Sequence, residues 1–90
     1  MEKEETLNIY MEALAKYGDE AQVFMLFEEC AELCNALAKH RRKRCTKEDI
    51  ITELADVSIM VEQMAVLYGY DDYITEKNAK LLRLKNKLGI

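Results

Sequence analysis

The sequence predicts an all-α chain of four helices, and three observations predict it. Proline is absent and only three glycines occur, so little interrupts a helix. Apolar residues recur at three- and four-residue intervals, the spacing that lines one helix face. The interruptions, at Gly18, around Arg44 to Thr46 and at Gly69, carry helix stop and start signals.

The first helix is expected from near Glu5 to Tyr17, with Leu7, Tyr10, Met11 and Leu14 on its apolar side. Gly18 suits a helix stop, and Asp19 the N-cap of the next helix. The second helix is expected from near Glu20 to about His40, or as far as Arg44. Its buried stripe would be Val23, Leu26, Phe27, Cys30, Leu33, Cys34 and Leu37. Thr46-Lys47-Glu48-Asp49 resembles a capping box with Asp in place of Glu or Gln. It opens a third helix, from about Lys47 to Tyr68, which Gly69 ends. Asp71 or Asp72 would cap a fourth, from near Tyr73 to Leu88, with Ile74, Leu81, Leu84 and Leu88 as its apolar line. Short connections favour antiparallel neighbours, so the second and third helices should form a hairpin within a four-helix bundle.

Residues 1–90 read as one domain, without repeats or a linker. A chain this short buries a smaller fraction of its surface than a larger protein, which favours self-association. The net charge of -4 argues against a general nucleic-acid binder. No apolar run approaches the roughly 20 residues of a membrane span, and the charged start does not read as a signal peptide. Cys30, Cys34 and Cys45 form an odd set without CxxC spacing, as expected of reduced thiols in a cytoplasmic protein. A zinc site on Cys45 and His40 would lack partners at a recognisable spacing.

Chemistry is concentrated in acidic residues on apolar helices. Glu53 falls between Val57, Met60 and Met64 on a helical wheel, inside an apolar arc, and Asp56 lies on its flank. Glu28-Glu29-Cys30-Ala31-Glu32 forms a second cluster on the preceding helix. Glu29 and Glu32 are three residues apart, as are Glu53 and Asp56, so each pair projects from one face. In the hairpin, Glu32 and Asp56 lie at similar distances from the turn, which brings both pairs to the same height. Four converging carboxylates would repel, and a hard divalent cation removes the conflict. An oxygen-only ligand set suits Mg²⁺ or Mn²⁺. Glu28 could support the ligands, hold another metal or orient water. A di-iron bundle would need Glu-x-x-His motifs, and His40 does not follow a glutamate by three residues.

Glu28-Glu29-x-x-Glu32, followed by Glu53-x-x-Asp56, resembles the EExxE…ExxD pattern of MazG-like nucleoside triphosphate pyrophosphohydrolases. The resemblance covers roughly residues 20 to 88. It implies an all-α, MazG-like bundle that assembles as a homodimer or homotetramer. It implies Mg²⁺-dependent cleavage of an NTP or dNTP between the α- and β-phosphates, giving a nucleoside monophosphate and pyrophosphate. By the motif match, Glu29, Glu32, Glu53 and Asp56 hold the metal, with Glu28 an accessory; Glu28, Glu29 and Glu53 are the implied catalytic set. The family's basic last helix implies phosphate contacts from Lys77, Lys80 and Arg83. The run Lys39-His40-Arg41-Arg42-Lys43-Arg44 is the other basic group, dense enough for phosphate or nucleic acid, but about 15 Å beyond Glu32 on a straight helix it reads rather as a solvated helix end. With no tryptophan, base stacking would fall to Phe24, Phe27, Tyr10, Tyr17 or Tyr68, with Phe27 expected in the core. The alternative is a non-catalytic helical module for nucleotide sensing or protein interaction that keeps the acidic site.

Overall fold

The computed structural model describes residues 1–90 and contains four α-helices and no strand. They are α1 (Lys3–Tyr17), α2 (Asp19–Arg41), α3 (Lys47–Tyr68) and α4 (Tyr70–Leu88). No helix is long and apolar enough to cross a membrane.

The helix ends follow local chemistry, with two shifts from expectation. Gly18 closes α1 at φ 89, its N–H donating to the Leu14 carbonyl at 3.0 Å. Gly18 also occupies the N-cap of α2, so Asp19 is the first helical residue rather than the cap. Asp19 and Glu20 instead place negative charge in the first turn, where the helix dipole favours it. Asp71 and Asp72 do the same for α4, which starts at Tyr70 because Gly69 alone separates it from α3.

The capping box at Thr46 forms in both directions. The Asp49 N–H donates to Thr46 Oγ1 at 3.2 Å, and the Thr46 N–H donates to the Asp49 carboxylate at 2.9 Å. The bond from the Thr46 N–H, and a second from the Thr46 hydroxyl at 3.0 Å, hold the Asp49 carboxyl below its usual range. Thr46→Ala is expected to cost about 1 kcal/mol, read from the urea midpoint, because it frees an N–H at the helix start.

α2 and α3 make the main contact as an antiparallel hairpin, and α1 packs on α3 and, less extensively, on α2. Tyr10, Met60, Met64 and Ala65 are the buried apolar residues. The Tyr10 hydroxyl donates to Glu62 at 3.3 Å, tying α1 to α3. Gln63 Nε2 donates to Gln22 Oε1, and this buried amide pair joins α2 to α3.

The fourth helix does not complete a bundle within the chain. α4 packs on α3, with Lys3 of α1 over the Tyr70 ring at 5.2 Å, and every residue from Thr75 onward is exposed. The Cα radius of gyration is 15.6 Å, against about 12 Å for a compact chain of this length. The expected stripe on α2 is correspondingly split. Val23, Leu26 and Leu33 are half-buried, whereas Cys30, Cys34, Leu37 and Phe27 are exposed, Phe27 at 59%. Leu81, Leu84 and Leu88 on α4 are also exposed, because no element of the same chain covers them.

Candidate metal centre

The α2–α3 hairpin sets the register of the acidic residues. Gln22 faces Gln63. Seven residues on along α2 and seven back along α3, about two turns in each case, stand Glu29 and Asp56. Glu32 and Glu53 follow after three more residues on each helix. The amide pair and the four carboxylates therefore share one seam.

Carboxylate oxygens of Glu29, Glu53 and Asp56 lie within 4.8 Å of one another, each on a partly buried side chain. Glu32 stands outside this tight group and is exposed, yet it is close enough to help raise the Glu29 and Glu53 carboxyls. Glu28 is exposed and sits about 100° around α2 from Glu29, away from the group.

The electrostatics are those of crowded acids. Desolvation raises the Glu29 carboxyl above its usual range, followed by repulsion from Glu32, Asp56 and Glu53. Desolvation leads at Glu53 also, ahead of Glu32 and Asp56. Glu29 Oε2 and Glu53 Oε2 are the two buried side-chain polar atoms without a hydrogen-bond partner. Buried polar atoms are ordinarily paired, so two orphaned oxygens in one group fit a cation. The donor set is oxygen only, as Mg²⁺ or Mn²⁺ prefers.

The raised values set a pH dependence. A carboxyl whose folded pKa exceeds its unfolded value favours folding at low pH, and that contribution is lost as pH rises through the folded pKa. Without metal, the Glu29 and Glu53 contributions are therefore expected to weaken from the ordinary carboxylate range upward. Asp49, shifted down, acts in a lower window and loses its contribution as pH falls. A melting series in EDTA should show stability declining from about pH 5 toward neutrality, with Mg²⁺ flattening the decline.

The basic residues fall differently from expectation. Lys77, Lys80 and Arg83 are not brought to the acidic group within the chain, since α4 does not touch α2. Lys77 lies over the Tyr73 ring at 5.8 Å, and Lys80 pairs with Glu76 at 3.7 Å. Arg83 lines a shallow groove with Lys80, Leu84 and Lys87.

Lys39 and Arg44, by contrast, line a cavity of about 410 Å³ with Glu32, Asn35, Ala36, Cys45, Asp49 and Glu53. The reason is the turn. α2 stops at Arg41, and Lys43 reverses the chain in the left-handed region at φ 59. The Arg44 N–H donates to the Lys39 carbonyl at 2.8 Å, and Cys45 Sγ donates to the Ala36 carbonyl at 3.2 Å. His40 Nδ1 lies 3.1 Å from the Cys45 carbonyl oxygen. Straight-helix extrapolation misses this return, although the capping box signals a new helix directly after Cys45.

All three cysteines are free, and the metal-type cluster contains carboxylates alone. No family model, curated protein or solved structure matches this chain. The motif spacing and the geometry of the hairpin therefore carry the functional reading.

Proposed function

We propose that the chain is a Mg²⁺-dependent nucleoside triphosphate pyrophosphohydrolase, with Mn²⁺ an alternative metal. The observation that carries the reading is the convergence of Glu29, Glu53 and Asp56 within 4.8 Å, two of them with orphaned buried oxygens. The EExxE…ExxD resemblance supplies the reaction.

Glu29, Glu32, Glu53 and Asp56 would hold the metal. A bound divalent cation supplies phosphate charge neutralisation, Lewis acidity and a lower pKa for water. The carboxylates would orient an attacking water and take up its proton, and the resemblance keeps Glu28, which faces away from the group, as an accessory only. The water oxygen bonds to the α-phosphorus and the bond to the β-phosphate breaks. One nucleoside monophosphate, one pyrophosphate and a proton result.

A homo-oligomer belongs to the same proposal. Phe24, Phe27, Ile51, Leu54, Leu81 and Leu84 are all at least half exposed. Apolar surface of this extent is characteristic of association faces. A partner chain would also decide whether Lys77, Lys80 and Arg83 approach a site. Three free cysteines accord with a reducing, cytoplasmic compartment.

The test is pyrophosphate release from the common NTPs and dNTPs with Mg²⁺, with EDTA and in Glu53→Gln. Metal-dependent release that disappears in the variant is expected. No release from any nucleotide, with Mg²⁺ still raising the melting temperature, would favour the non-catalytic module.

A further inference from the structure

The cavity beside the acidic group is lined by charges of both signs. Glu32 and Lys39 come from α2, Asp49 and Glu53 from α3 and Arg44 from the turn, together with Asn35 and Cys45. Its volume of about 410 Å³ lies within the usual span for small-molecule sites, about 300–1,000 Å³. The chain's one ion pair joins Lys80 to Glu76, so neither Lys39 nor Arg44 is neutralised by a carboxylate in contact. The backbone that carries them is fixed locally, because the Arg44 N–H is bonded to the Lys39 carbonyl and Cys45 Sγ to the Ala36 carbonyl.

We propose that Lys39 and Arg44 are the anion-binding groups of this site, receiving the phosphate chain of a metal-complexed polyphosphate. The inference rests on the acidic group being a metal centre, and it assigns the phosphate contacts to the α2–α3 turn rather than to α4. A polyphosphate facing carboxylates alone is repelled, whereas Lys39 and Arg44 give this cavity a cationic part to its wall. The planar guanidinium of Arg44 can donate two hydrogen bonds to one phosphate, and the Lys39 ammonium acts as a compact point charge. Asn35, one helical turn before Lys39, adds a neutral donor to the lining.

The test uses inorganic tripolyphosphate and the full chain in calorimetric titrations with Mn²⁺ present. Lys39→Ala/Arg44→Ala is expected to weaken tripolyphosphate binding at least about tenfold, since two charge-assisted contacts are lost. Lys39→Arg, which keeps the charge and the Arg44 guanidinium, should retain most of the affinity. Both positions are exposed, and circular dichroism verifies that the helices persist. Unchanged binding in the alanine variant overturns the inference, as does absence of tripolyphosphate binding by the wild type. A loss confined to Lys80→Ala/Arg83→Ala also overturns it and assigns the role to α4. A separate Mn²⁺ titration without polyphosphate judges the metal centre. If the wild type takes up no Mn²⁺, the metal reading fails, while the alanine variant still decides whether this wall binds the anion.

Discussion

Glu53→Gln is expected to remove metal-dependent pyrophosphate release, a loss of about a thousandfold or more. A metal ligand contributes several kcal/mol of charge stabilisation at the reacting phosphate, and each 1.4 kcal/mol or so is tenfold in rate. The same substitution should leave the metal-free chain as stable as before, or more stable. Its carboxyl is pushed up first by desolvation and then by Glu32 and Asp56, so the negative charge is a burden to the apo fold. Opposite signs for activity and apo stability distinguish a functional carboxylate from a structural one. Steady-state rates and urea midpoints measured on one preparation read both. A variant that loses stability and activity together would show Glu53 to be part of the packing instead.

Gln63→Ala is expected to lower stability by about 2–4 kcal/mol, combining an unpaired buried Gln22 with the lost packing of a side chain only 3% exposed. Gln22→Leu/Gln63→Leu should recover most of that loss, because removing both polar partners leaves neither unsatisfied. The informative quantity in the double variant is Mn²⁺ affinity. Polar pairs in helical seams specify register, and this one lies two turns from Glu29 and Asp56 on both helices. A stable double variant with Mn²⁺ affinity weakened about tenfold would identify the pair as the device that aligns the carboxylates. Wild-type affinity in that variant would mean that the apolar packing aligns them unaided.

Much of the secondary structure is legible because it depends on local chemistry. Gly18 and Gly69 sit at positive φ where the helices stop, and Thr46 with Asp49 caps α3 as the spacing predicts. The acidic convergence is legible for the same reason, as it needs only helical periodicity and one tight turn. Burial is less legible. Periodicity shows that Phe27, Cys34 and Leu84 belong to apolar faces, but a face carries no mark of which chain will cover it. The turn cations are obscured in another way. Arg44 meets the cavity only because the chain reverses at Lys43, and no run of charges encodes a reversal, whereas Lys39 follows Glu32 by seven residues on one face of α2 and is within reach of periodicity.

Gly69 has a mechanical consequence. A single residue at φ 138 is all that separates two long helices, and the second is held only near that end, by α3 and by Lys3 over the Tyr70 ring. α4 has 19 residues, so it is a rod of about 28 Å pivoting at one end. Turning such a rod by about 20° would swing its tip by roughly 10 Å, from a change of a few backbone angles at the pivot. The reach of Lys80, Arg83 and Lys87 is thus governed by the torsions of a residue with no side chain. The Asp72 carboxylate already lies 3.4 Å from where a Cβ at Gly69 would stand. Substituting alanine there would strain the hinge and re-aim the arm without altering a single charge on it.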